Sequence, residues 1–310
     1  MSTATQPLIA PRTGVLPLLQ DYAELFKLRV TSLIVMTAWC GYYLGSLKSG
    51  TSSLQWGLLH ALLGIGLVSG GTAAFNEIIE YREDALMRRT QHRPLPANHM
   101  GLAHAVLVAL LATLGGVVYL YYLANPGTAL LALATAVAYL GLYTPLKKMS
   151  PLCTFVGAFP GAMPGVLGWT AARGRLEVEA IILFAIVFFW QFPHFHSIAW
   201  LYREDYQNAE IRMLPVVDSD GKSTVRAILL YLVALIPVSL VPTLLHMAGW
   251  IYFAGALALG LGFLWTGVRL ARLAMPPGKP RSKQRARQVL IASVFYLPLL
   301  FALMMLNAVA

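Results

Sequence analysis

The chain has 310 residues, 58% of them hydrophobic and only 12% charged. A soluble domain of this size carries about 25% charged residues, so an ordinary water-soluble fold is excluded. The formal net charge is +10, but the basic residues gather at the ends of apolar runs. That makes the charge a topology signal and argues against nucleic-acid binding.

In chain order, residues 1–25 carry no basic stretch followed by an apolar core, so no cleavable signal peptide is read here. They are expected to form a flexible cytoplasmic tail. Nine apolar runs follow, each close to the roughly 20 residues that cross a bilayer as a helix. They are Val30–Leu47, Trp56–Ile79, Leu102–Leu123, Thr128–Leu146, Leu152–Ala172, Ala180–Leu201, Ala227–Met247, Trp250–Leu270 and Val289–Val309. The runs are continuous rather than alternating, which argues against a β-barrel. The expected fold is therefore all-α: one transmembrane domain over residues 1–310, with nine helices bundled around a central cavity.

With the N-terminus cytoplasmic, 20 of the 23 Lys and Arg residues fall on the inner side. Only Lys48, Arg173 and Arg175 fall outside. This split predicts an inner-membrane protein with its C-terminus outside. Cys40 and Cys153 lie inside spans and read as small apolar fillers.

Nine of the thirteen acids sit in two places, each closing a span. The first is NEIIEYREDALMRRTQHRPLP at 76–96; the second is LYREDYQNAEIRMLPVVDSD at 201–220. The two lie four spans apart, which suggests a duplicated four-helix unit. Asn76, Glu80 and Asp84 stand at i, i+4 and i+8. On a helix they occupy an arc of roughly 80°, stacked over about 12 Å, and Arg88 continues the row.

Three readings fit this patch. It could be ordinary ion pairing along a helix end, the ion path of a transporter, or a site for a divalent metal and a phosphate. The mixture of signs favours the third. Carboxylates alone repel a diphosphate, whereas carboxylates carrying Mg²⁺ attract it, and Arg88, Arg89 and Arg93 would grip phosphate oxygens.

The run Asn76-x3-Glu80-x3-Asp84, followed by ALMRRTQHRPLP, resembles the first acidic motif of the intramembrane prenyltransferase superfamily. FKLRV at 26–30, YTPLKKMSP at 143–151, GAFPGAMPGVLGW at 157–169 and WQFPHFHSIAWLYREDYQNAEIRMLPVV at 190–217 extend the likeness over nearly the whole chain. More narrowly they resemble the haem-directed branch, the protohaem IX farnesyltransferases. That resemblance implies transfer of the farnesyl group of farnesyl diphosphate to a vinyl group of haem b, with addition of water, in a cavity opening near the cytoplasmic face. It also implies Mg²⁺ as cofactor. A haem A-forming enzyme would be a partner, and a haem-copper oxidase the final recipient.

Carried over residue by residue, Asn76, Glu80 and Asp84 match the metal–diphosphate motif, and Arg89 and Arg93 its basic continuation. Asp205 matches the carboxylate of the second motif, a further expected catalytic and metal-binding residue. Lys147 and Lys148 match diphosphate-binding positions. Two departures stand out: Glu80 replaces the commoner Asp, and Ala209 stands where a D-x-x-x-D pattern would place its second carboxylate. His194 and His196 are the candidate haem residues, since a neutral imidazole ligates haem iron. His60, His104 and His246 read as structural. Tyr143, Phe192, Phe195 and Tyr202 offer ring faces to an allylic cation. Rival functions are prenyl transfer to an aromatic or quinone precursor, transport, and non-catalytic oxidase assembly.

Overall fold

The computed structural model describes residues 14–52 and 54–309. Its helices are α1 (Val15–Leu25), α2 (Leu28–Lys48), α3 (Trp56–Asp84), α4 (Leu102–Leu123), α5 (Pro126–Ala138), α6 (Thr144–Met149), α7 (Cys153–Arg173), α8 (Val178–Leu201), α9 (Arg203–Asn208), α10 (Leu214–Val217), α11 (Lys222–Leu244), α12 (Trp250–Ala271) and α13 (Pro280–Leu306). Among the described residues there is no β-strand beyond one isolated bridge, Ala248 to Ala308. The protein is an all-helical, polytopic membrane protein.

Among the described residues, eight helical stretches are long and apolar enough to span a bilayer: α2, α3, α4, Pro126–Met149, α8, α11, α12 and α13. The ninth expected span is present as α7 but does not reach the same hydropathy. Four glycines and two prolines dilute it, and more than half of its residues are buried. It is mainly a packing helix, though Phe155 and Phe159 remain exposed on its surface. A Cβ on Gly168 would lie 1.8 Å from the Ala38 carbonyl oxygen, and one on Gly41 would lie 2.0 Å from that of Gly165. The α2 and α7 backbones therefore touch, as small residues permit between membrane helices, where close van der Waals contact drives association.

The chain order of four long helices repeats, with α13 as a ninth. Helices α2 and α7, the first of each set, pack on each other. Helices α3 and α8, the second of each set, end in the two acidic segments. At the opposite end of the bundle, Lys48 pairs with Glu179, and Arg173 bonds Glu177 at 2.8 Å and the Ser49 hydroxyl at 2.6 Å. The three cations that the sequence separates from the other twenty thus gather together.

Two expectations are corrected. Residues 15–25 of the supposed flexible tail form α1, because Leu25 is fully buried and Asp21 pairs with His99 at 3.2 Å; residues 1–13 lie outside the described residues. The fourth span is not a uniform helix either. A π-turn at Tyr139–Tyr143 separates α5 from α6. Pro145 cannot supply the next intrahelical N–H, and the Thr144 hydroxyl donates to the Tyr139 carbonyl at 3.0 Å. Such turns recur at functional sites, and this one aims Thr144 and Lys147 at α3. His60 and His104 are bonded to Tyr119 and Tyr22 at 2.7 and 2.6 Å.

Candidate active site

Asn76, Glu80 and Asp84 do share one face at the end of α3, and each meets a cation from a different part of the chain. Lys27, in the elbow between α1 and α2, donates to Asn76 Oδ1 at 2.7 Å. Lys147 on α6 pairs with Glu80 at 2.7 Å, and Arg93 pairs with Asp84 at 2.6 Å. Lys148 pairs with Glu83 beside them. The Asn76 amide also donates to the Thr144 hydroxyl at 3.3 Å. Asn76 and Asp84 are 2% and 1% exposed, so these contacts are made largely out of water.

The helix stops at Asp84 because the chain turns back on it. Thr90 donates its hydroxyl to the Asp84 carbonyl at 2.9 Å, satisfying one of the orphan acceptors of a helix C-terminus. The Arg93 guanidinium there also suits the negative end of the helix dipole. This ending corrects the place of Arg88. It does not continue the row, since no helix carries it there, and its side chain is exposed.

Glu77, beside Asn76, is 0% exposed, and neither of its carboxyl oxygens has a hydrogen-bond partner. With it the patch holds four acids (Glu77, Glu80, Glu83, Asp84) and four cations (Lys27, Arg93, Lys147, Lys148), formally neutral. Burial, then repulsion from Arg93 and Lys147, push the Lys27 ammonium down to about 8.

The second acidic segment meets the first. Arg89 donates to the Tyr206 hydroxyl at 3.2 Å and lies over the Tyr202 and Tyr206 rings at 5.4 and 5.6 Å. Asp205 lies between those tyrosines on α9, half-buried, with no ion pair among the described residues. Farther on, the Arg212 amide donates to the Lys147 carbonyl at 2.8 Å. A cleft of about 180 Å³ opens where Ile211 approaches Glu80, Glu83, Lys147 and Lys148.

The donor set bears on the expected metal. Among the described residues, no three Asp, Glu, His or Cys side chains converge as a metal cage. Asn76, Glu80 and Asp84 nonetheless present hard oxygens on one face, with the unpartnered Glu77 carboxylate beside them. Mg²⁺ commonly takes one or two carboxylates and completes its shell with phosphate and water. The residues fit an ion shared with a diphosphate, and do not fit an all-protein site.

His194 and His196 point differently. His194 stacks on Trp190 at 4.7 Å, and its Nδ1 meets the Ser293 hydroxyl on α13 at 2.8 Å. His196 is 4% exposed and its Nδ1 has no partner. Of the four aromatics, Tyr143 lies under the Lys147 ammonium at 4.6 Å and Tyr202 under Arg89. Phe192 stacks flat on Tyr231 at 3.6 Å, which covers one of its faces. Phe195 packs near Met87 and Cys153.

Sequence reasoning gave no site role to Lys27, Glu77, Thr144 or Tyr206. A lysine ahead of an apolar run reads as a topology mark, and Glu77 falls off the four-residue row. Only the acid immediately after Asn76, inside an apolar helix, carried a signal.

The chain is similar to known proteins over nearly its whole length. The protoheme IX farnesyltransferase of Koribacter versatilis is 60% identical over 307 residues, covering 99% of each chain. That of Solibacter usitatus is 47% identical over 296 residues, covering 93% of this chain and 99% of its own. Among solved structures, a digeranylgeranylglyceryl phosphate synthase shares the fold with a TM-score of 0.74 at 18% identity, over 93% of this chain and 98% of that one. A UbiA homolog from Archaeoglobus fulgidus, solved with DMAPP and Mg²⁺, does so with a TM-score of 0.63 at 14% identity, over 92% and 99%. The sequence model of the UbiA prenyltransferase family matches residues 34–291. The chain belongs to the UbiA prenyltransferase family.

Proposed function

We propose that the chain transfers the farnesyl group of farnesyl diphosphate to a vinyl group of haem b, with addition of water, yielding haem O and diphosphate. The observation that carries this reading is the end of α3, where a buried amide and two carboxylates are each held by a separate cation. Its narrowing to haem rests on the two protoheme IX farnesyltransferases that match almost end to end. The protein would sit in the inner membrane with the acidic segments toward the cytoplasm, as the distribution of Lys and Arg favours.

Arg93 and Lys147 are placed to hold the diphosphate and to offset the charge that grows on it as the allylic C–O bond breaks. Lys148 and Arg89 extend the positive rim. Asn76, Glu80 and Asp84, with Asp205 from the second segment, would hold Mg²⁺. Bound there, the ion supplies positive charge against the leaving diphosphate. The formally neutral patch is what makes it needed, because a diphosphate added without it leaves the site net negative. An aromatic surface of Phe155 and Phe159 on α7, both partly exposed, with Phe184, Phe188 and Phe192 on α8 runs along the bundle. Such a surface suits an isoprenoid chain and keeps water from an allylic cation until the vinyl group attacks. His194, with its ring held by Ser293, is the better placed haem ligand. The product would pass to a haem A-forming enzyme.

The experiment is to incubate membranes containing the chain with haem b and farnesyl diphosphate, with and without Mg²⁺, and to identify the extracted haem by mass. Haem O formed only with Mg²⁺ supports the reading. Unchanged haem b, alongside prenylation of an aromatic acid or quinone precursor, would replace it with the rival substrate class.

A further inference from the structure

The elbow between α1 and α2 is built more firmly than a connection between helices requires. Leu25 is fully buried, and Phe26 fills a notch on α3 where a Cβ on Gly70 would come within 2.9 Å of its ring. The Thr31 hydroxyl donates to the Phe26 carbonyl at 2.8 Å, and the Lys27 amide donates to the Glu24 carbonyl at 2.8 Å. Asp21 and Tyr22 tie α1 to His99 and His104. Together these contacts hold Lys27 in the left-handed region, φ 45° and ψ 51°. A residue with a side chain adopts that conformation reluctantly, and it persists where surrounding structure over-determines it, often at functional sites.

The strain delivers an ammonium into the acidic patch, yet its partner there is a poor match. An ammonium carries three donors. Among the described residues Lys27 Nζ has one hydrogen bond, to the neutral Asn76 amide. The nearby carboxylates of Glu80 and Asp84 are already taken by Lys147 and Arg93. Lys27 is half-buried, and a cation drawn even partly out of water is stabilised by an anionic, hydrogen-bonded partner. Glu77 lies close enough to influence it but bonds nothing. The missing partner is an anion with several acceptor oxygens.

We infer that Lys27 is a diphosphate-binding residue, carried into the site by the α1–α2 elbow, where its free donors take phosphate oxygens across from Arg93 and Lys147. This rests on the reading of the α3 end as the diphosphate site. It adds a contact from outside both acidic segments, so that α1 is part of the substrate clamp.

The test uses the full chain in membranes and inorganic pyrophosphate as the probe, competing with farnesyl diphosphate. Lys27→Met is expected to raise the pyrophosphate concentration for half-inhibition at least tenfold, and the KM for farnesyl diphosphate with it, while the KM for haem b stays put. Lys27→Arg should restore most of both. Should the Met chain not fold, Lys27→Gln, which still reaches Asn76 as a donor, takes its place with the same expectation. Native-like inhibition in a folded Lys27→Met or Lys27→Gln chain overturns the assignment and leaves the site reading intact. Pyrophosphate that fails to compete even in the native chain overturns both.

Discussion

Arg93 reaches back nine residues to grip Asp84 at 2.6 Å, with the carboxylate side chain only 2% exposed and the guanidinium 14%. The loop after α3 is thereby folded onto the helix end that it leaves. Removing one partner of a buried pair strands the other charge, which costs about 3–5 kcal/mol. Arg93→Ala should therefore lower the apparent melting temperature more than the double variant Arg93→Ala, Asp84→Asn does. Equal losses in single and double variants would show that the pair does not hold the loop.

Loss of charge at Glu80 or Asp84 strands Lys147 or Arg93, so its effect on chemistry is read as the rate per folded chain. Glu80→Gln and Asp84→Asn keep the volume and a hydrogen-bonding head. Each is expected to lower the rate of haem O formation about a hundredfold or more, the scale of losing one preorganised electrostatic contact. Near-native rates in both variants would remove these residues from the site.

Chelation gives an independent reading of the same patch. EDTA should abolish product formation and Mg²⁺ should restore it. Asp84→Asn should need a higher Mg²⁺ concentration for half-maximal rate. A rate indifferent to EDTA would mean that the cations of the patch serve the diphosphate unaided.

What could be read from the chain beforehand divides along physical lines. The spans were legible because a bilayer imposes length and apolarity locally, so α4 appears with the expected bounds and α12 ends one residue beyond them. The row of Asn76, Glu80 and Asp84 was legible because helical periodicity is local too. Arg88 was misplaced because nothing in the sequence marks where α3 stops; the stop is set by Thr90 and Arg93 folding back. Lys27 with Asn76, and Asn76 with Thr144, are separated by 49 and 68 residues. Such pairings depend on the bundle's packing, which no single stretch encodes. Glycines stand at 157, 161, 165 and 168 on α7, a pattern of small residues that suits close helix packing. The structure divides them: Gly168 and Gly165 meet α2, while Gly157 leaves room for Tyr143 and Gly161 for Gln191.

That division predicts contrasting substitutions. At Gly168 a Cβ would strike backbone, the Ala38 carbonyl oxygen, which no side-chain rotation can clear. Gly168→Ala should prevent correct assembly or lower the apparent melting temperature sharply. Gly115→Ala and Gly262→Ala, where nothing lies within 4 Å, should be neutral or slightly stabilising, since alanine favours helix by about 1 kcal/mol over glycine. Tolerance of Gly168→Ala would refute the close α2–α7 crossing.

The haem half of the site is testable through a residue that need not touch haem. Ser293 on α13 meets His194 Nδ1 at 2.8 Å, leaving Nε2 as the nitrogen available to iron. Partners of this kind fix ring orientation and tautomer, and their loss weakens metal binding about 10–100-fold. Ser293→Ala should therefore weaken haem b binding, followed by the Soret band, in the same direction as His194→Ala but less completely. His196 is enclosed at 4% exposure, so His196→Phe should leave the Soret titration close to native even where packing lowers stability. If His196→Phe abolishes the Soret change and His194→Ala does not, the ligand is His196, and the α8 face toward Phe192 rather than the one toward α13 receives the macrocycle.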